Sequence, residues 1–174
     1  PVTVKTRIGW DRGSINVVEL AKILQDNGAA ALAVHGRTKS MLYSGRADWD
    51  TIHAVKQAVT IPVMANGDIF GPAEAVQCQK RTGADLLMVG RSAFGNPWIF
   101  EQINAALAGE PIPELPPLAQ RIDVAVEQIE LARSDKGEHI ACLEARKHMA
   151  WYLRGVAYSN YYKEQISSIN TIED

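Results

Sequence analysis

Four short apolar runs, each followed by a helical pattern, constrain this chain more than any other feature. Val4, Val34, Val63 and Leu87 occupy equivalent points in the runs and lie 30, 29 and 24 residues apart. That interval holds one strand, one turn and one helix, the rhythm of parallel βαβ units. The predicted strands are Val2–Arg7, Ala31–His35, Ile61–Ala65 and Asp85–Val89. They are nearly continuously apolar, as strands covered on both faces must be. Between them the spacing predicts a helix capped by Ser14, with Val17, Leu20, Ala21 and Leu24 on one face, stopped at Asn27-Gly28. A second is capped by Asp48 or Asp50, a third runs from Pro72 to about Thr82, and a fourth from Pro97 to about Ala108. The class is α/β.

The third and fourth units end alike. Pro62–Phe70 and Leu87–Phe94 are apolar runs that break into small and polar residues, and each leads to a proline, Pro72 or Pro97, expected at the first helical position. Strand, glycine turn and helix N-terminus in that order leave backbone N–H groups free to meet an anion. In an eight-stranded β/α barrel a phosphate shared between two such turns lies after strands 7 and 8. Residues 1–109 therefore read as the second half of a TIM-type barrel. Glu110–Pro117 holds four prolines in eight residues and reads as a linker. From 118 to 174 the period is helical: Leu118, Ile122, Ala125, Ile129 and Ala132 form one stripe, and Cys142, Ala145, Met149, Tyr152 and Val156 another. Two antiparallel helices of a small all-helical domain are expected. The pattern fades after Tyr158. The chain enters a strand directly from Pro1 and stops without a clear cap, so both ends read as cut.

Composition narrows the function. With 18 Lys+Arg against 20 Asp+Glu the net charge is −2, and nothing global favours nucleic acid; such contact would need a local patch. No apolar run approaches the ~20 residues of a membrane span. Cys78 and Cys142 lack metal-ligand or CxxC spacing, so inert thiols in a soluble, cytoplasmic protein are expected, with no metal site.

Lys5 lies in a strand where its side chain would meet the barrel lumen. Such a lysine serves chemistry or reaches solvent at the strand end, and the residues alone leave both open. His35 ends the next strand, at what reads as the same level. Alone it would be a histidine satisfied by backbone; beside Lys5 it places two cation-capable groups at the C-terminal rim, where barrel active sites lie. Asn66-Gly67-Asp68 and Gly90-Arg91 bring N–H groups, an amide and a guanidinium to one place. Ordinary loop chemistry could explain either turn. Two of them before proline-led helices favour a phosphate site.

Together these stretches resemble the tRNA-dihydrouridine synthases, most closely the bacterial B-type. The matching residues are Val4–Trp10 (VKTRIGW), Val34–Thr38 (VHGRT), Ala65–Ile69 (ANGDI), Val89–Trp98 (VGRSAFGNPW) and Arg146–Leu153 (RKHMAWYL). The resemblance implies a barrel that binds FMN, NADPH as the reductant of the flavin, and hydride transfer to the C5=C6 bond of a uracil flipped out of tRNA. By the same resemblance Lys5 would sit at the pyrimidine end of the flavin, with His35 at that edge or toward the substrate. Asn66, Gly67, Asp68, Gly90 and Arg91 would hold the FMN phosphate. Asp68 is expected to contribute its N–H and turn its carboxylate elsewhere, and Arg37 to reach the phosphate or the RNA. The family's acid cysteine precedes the lysine strand, and neither Cys78 nor Cys142 matches it. No catalytic residue is therefore expected in this chain, which should be inactive alone and should self-associate through the exposed half-barrel.

Two other readings stay open: an FMN-dependent barrel oxidoreductase acting on a small molecule, and a non-catalytic structural or RNA-binding piece. The late helix bears on the choice. Lys147, Trp151 and Arg154 fall on a face opposite the apolar stripe, a pattern that suits RNA contact or simply a solvated face with Trp151 packed inward.

Overall fold

The computed structural model describes residues 1–174. In chain order the elements are β1 (Val2–Arg7), α1 (Val17–Asp26), β2 (Ala29–His35), α2 (Trp49–Ala58), β3 (Val63–Asn66), α3 (Pro72–Thr82), β4 (Leu86–Met88), α4 (Ile99–Ala108), α5 (Leu118–Lys136), α6 (Glu138–Tyr152) and α7 (Ser159–Ile166), with a 3₁₀ turn at Arg91–Ala93. Residues 110–117 belong to no regular element. The chain divides into two compact units. The first is Pro1–Ser92 with Glu101–Ile112, the second Ala93–Phe100 with Pro113–Asp174. No helix is long and apolar enough to cross a membrane.

In the first unit the four strands are parallel and lie in the order β1-β2-β3-β4. A sequence order without reversal is that of neighbouring strands in a β/α barrel and differs from a doubly wound sheet. Register explains which residues are covered. Val4, Leu32 and Val63 align, as do Thr6, Val34, Ala65 and Leu87. Leu32, Val34, Val63 and Ala65 are wholly buried, together with Val17, Ala21, Ile52, Val55, Ala75 and Cys78 of helices α1 to α3. Each such aliphatic side chain contributes about 1.5–3 kcal/mol of burial, so this layer holds the unit together. The other face takes the alternate residues and has no helix on it; there Lys5 is exposed and Leu86 is 54% exposed.

Local chemistry sets the helix ends, with two departures from expectation. Asp48 caps α2, its carboxylate accepting from the Thr51 N–H at 3.0 Å, and Gly83 ends α3 in the left-handed region. Ser14 does not cap α1, which starts at Val17 after Asn16 with no side-chain cap. Its hydroxyl instead closes the preceding turn, accepting from the Asp11 N–H. Pro97 does not open α4 either. The chain first makes the 3₁₀ turn and a second turn in which the Ile99 N–H donates to the Asn96 carbonyl, so α4 begins at Ile99.

In the second unit α5 and α6 are joined through Gly137, and three contacts fix their antiparallel course. The Arg121 guanidinium donates to the Tyr152 carbonyl, the Tyr152 hydroxyl to Gln128, and Lys136 pairs with Glu144. Ala125, Ala145, Met149 and Tyr152 form the core between them, with Ile129, Ile166 and Ile169 packed against it. Helix α7 lies where the sequence pattern had faded; none of its residues is fully buried, and Ile166 at its end meets the core partly buried.

Candidate anion-binding rim

The parallel register brings Arg7, His35, Asn66 and Met88 side by side on the helix-free face at the C-terminal ends of the strands. Lys5 is on the same face but one row lower, beside Ala33 and Met64. The expected shared level of Lys5 and His35 is thus corrected by two residues, roughly 6–7 Å of strand rise. Arg7, which sequence reasoning passed over, is the cation level with His35. The strand period could have found it, since residues 5 and 7 of one strand share a face. Its guanidinium donates to the Thr38 and Leu42 carbonyls at 2.8 and 3.1 Å, which fastens the loop after β2 to β1.

His35 is buried, with 7% of its surface exposed. Burial, then the positive charges of Arg7, Lys5 and Arg37, push its pKa down to about 4, while Asp68 opposes them weakly. The imidazole is therefore neutral at pH 7 inside a ring of cations. The next turn is built against it. Gly67 has φ +116°, and a Cβ there would stand 2.9 Å from His35 Cδ2 and 2.8 Å from the Ala47 methyl. The glycine at this position is demanded by the chain's own packing. Gly90 differs: it is exposed, and a Cβ there would meet nothing within 4 Å. Space is open at that turn for a ligand to approach the backbone.

The two turns are neighbours. One amide proton of Asn66 goes to the Met88 carbonyl at 2.7 Å, which ties the end of β3 to β4, and the Ser92 hydroxyl donates to the Ile69 carbonyl. Arg91 is half exposed. Its guanidinium carbon sits 4.3 Å above the Tyr43 ring and its Nη2 is 4.0 Å from Asp68. Beside it opens a cleft of about 580 Å³ lined by Tyr43, Arg46, Trp49, Phe70 and Arg91 among others.

Arg37 does not reach outward as expected. It is 2% exposed, and its guanidinium donates to the Ser44 and Gly45 carbonyls at 3.0 and 2.7 Å and to the Asp68 carboxylate at 2.8 Å. Asp68 also accepts from the Ala47 N–H at 2.7 Å, so its carboxylate is turned into the protein. Sequence patterning misses this pair because its members are 31 residues apart, in the loops after β2 and β3.

In the second unit Lys147 is exposed on α6, while Arg154 lies in the turn beyond that helix and folds back with its guanidinium carbon 4.4 Å above the Trp151 ring. Trp151 also packs on Phe94, ring centroids 5.7 Å apart. With both partners against it, Trp151 is part of the packing, and the cations are what this surface offers. Tyr158 and Tyr161 on and before α7 are 85% and 61% exposed, aromatic surface the sequence reading did not single out.

Both cysteines are free and buried, and burial pushes the Cys78 thiol up to about 11. Neither has the exposed, electropositive surroundings of a reactive thiol.

Comparison with known proteins supplies the family. The family model described as dihydrouridine synthase (Dus) matches residues 1–174. The chain is 42% identical over 174 residues to the probable tRNA-dihydrouridine synthase 1 of a Synechocystis species, covering all of this chain and 49% of that protein. It is 43% identical over 171 residues to tRNA-dihydrouridine synthase B of Vibrio vulnificus, covering 98% of this chain and 53% of that one. A probable tRNA-dihydrouridine synthase of Rickettsia conorii is 42% identical over 170 residues, at 98% and 51% coverage. The chain thus spans about half the length of the curated relatives it matches. It belongs to the dihydrouridine synthase family.

Proposed function

We propose that the chain forms the cofactor-phosphate side of a flavin-dependent enzyme that reduces uridine in tRNA to 5,6-dihydrouridine. The observation that carries this reading is the rim itself. Two turns on adjacent parallel strands are held together by Asn66, with Arg91 half exposed, open space at Gly90, and Lys5, Arg7 and a neutral His35 on the same face. These residues fit an anionic flavin mononucleotide: they offer cations and N–H donors, and the Asp68 carboxylate is already engaged by Arg37. Bound FMN, recharged by NADPH, would supply hydride to the C5=C6 bond of uracil.

The chain's own residues divide the remaining work. Gly67, Asp68 and Gly90 would donate backbone N–H groups to the phosphate and Arg91 its guanidinium, while Asn66 braces the two turns. Lys5 would hold negative charge at the pyrimidine end of the flavin, where a fixed cation favours the reduced state. His35, neutral and already packed against Gly67, would donate or accept a hydrogen bond there without adding charge. Neither buried thiol suits protonation of the substrate, so that proton comes from a group other than Cys78 and Cys142. Lys147 and Arg154 would meet the tRNA backbone, with exposed tyrosines near α7 as further contact.

The experiment is complementation in cells that lack dihydrouridine in tRNA. The full-length protein should purify with bound FMN and restore dihydrouridine. Lys5→Ala should retain flavin and lower dihydrouridine formation at least tenfold. Unmodified tRNA together with reduction of a small-molecule enone would favour the small-molecule oxidoreductase reading. Absence of any flavin from the full-length protein would leave an RNA-binding or structural role.

A further inference from the structure

We propose that Arg37 and Asp68 are a positioning pair. Neither side chain touches the cofactor phosphate, but together they hold the Asn66–Asp68 turn and Arg91 in the arrangement that selects a phosphate-bearing flavin. This rests on the reading of the rim as an FMN phosphate site.

Asp68 poses a problem for any anion site, because a carboxylate within reach of Arg91 competes with phosphate. Its surroundings resolve the problem. Arg37 Nη2 lies 2.8 Å from both carboxylate oxygens and donates to Oδ2, which also accepts from the Ala47 N–H at 2.7 Å. The same guanidinium donates to the Ser44 and Gly45 carbonyls. One buried group therefore joins three segments: the end of β2, residues 44–47, and the turn after β3. Asp68 itself has φ +56°, a left-handed conformation uncommon outside glycine. It follows Gly67 at φ +116°, so the turn is held in two successive positive-φ residues. That arrangement persists only where surrounding structure over-determines it.

The pair is also not saturated. Arg37 Nη1 and Asp68 Oδ1 are buried without hydrogen-bond partners, and Arg91 Nη2 stands 4.0 Å from that same Oδ1. Breaking such a buried pair is costly, and retaining it needs a reason beyond stability, since buried ion pairs contribute little net stabilisation. Orientation of the turn and of Arg91 is the reason the geometry offers. A lysine at 37 would keep the charge but lose the planar fork that reaches carboxylate and carbonyls together.

Charge and position predict opposite signs for one variant. Asp68→Asn removes a negative charge from beside the phosphate and leaves Arg37 unneutralised, so if charge alone mattered FMN would bind more tightly. If the pair positions the site, FMN binds more weakly although a repulsive charge has gone. Asparagine tolerates the left-handed conformation, so the backbone demand is met in the variant.

The test is flavin-fluorescence titration of the full-length protein with FMN and with riboflavin, which lacks the phosphate. The wild type should prefer FMN. In Asp68→Asn and in Arg37→Lys that preference should fall at least tenfold, with riboflavin affinity within about twofold of wild type, and the double variant should be no worse than the worse single one. Tighter FMN binding by Asp68→Asn overturns the proposal in favour of simple charge. Equal loss of both flavins overturns it in favour of a merely structural pair. If the wild type itself shows no preference for FMN, the reading of the rim fails and the positioning role fails with it; a wild-type preference that both variants keep overturns the positioning role alone.

Discussion

His35 shows how much a single residue's surroundings decide here. Its pKa falls from 6.5 to about 4 through burial and the charges of Arg7, Lys5 and Arg37. A base with a depressed folded pKa stabilises the fold above the unfolded pKa and loses that contribution as pH falls, because the unfolded chain takes up its proton first. The window is therefore pH 6.5 down to about 4, and the shift amounts to about 3 kcal/mol across it. Denaturant titrations at several pH values should show the wild type losing stability through this window and His35→Gln losing about 3 kcal/mol less. Identical pH slopes would mean the imidazole is not held neutral. The residues at this scale were unevenly legible. Lys5, His35 and Asn66 lie in recognisable strands and Arg91 just beyond one, so position singled them out. Arg37 lies in the same kind of place, yet its role was hidden, because its partner is set by how a loop folds and not by any period in the chain.

At the scale of elements, the strands and the first three helices were readable because their apolar residues recur in a regular pattern. Leu32, Val34, Val63 and Ala65 recur on the helix-covered face, and Val17, Ile52, Val55 and Cys78 answer them. Leu32→Ala should therefore destabilise the first unit by about 3 kcal/mol, measured by chemical denaturation with the slope unchanged. A loss below about 1 kcal/mol would mean that the layer is looser than its burial implies. Where the reading failed, the local signal was ambiguous. Ser14 is a good capping residue that serves a turn instead, and Pro97 is a good first residue displaced by two intervening turns. The signal for helix α7 was weak because none of its residues is fully buried and it meets the core through partly buried Ile166, so its apolar stripe is short.

For the whole molecule, we propose that the two turns after β3 and β4 are one phosphate site in a flavoenzyme that acts on tRNA. The repeated strand–turn–helix pattern carried that idea from the sequence, and the register gives it a physical basis: Asn66 pairs with Met88 across the two strands and its amide spans them. Family membership supports the proposed class of reaction, and the open backbone at Gly90 leaves room for the ligand. The most direct measurement is a crystal structure of the full-length protein with FMN. The phosphate is expected within hydrogen-bonding distance of the Arg91 guanidinium and of the N–H groups around Gly67 and Gly90, with Arg37 still bound to Asp68. A flavin whose phosphate lies elsewhere, with Arg91 still stacked on Tyr43 and no ligand at Gly90, would contradict it.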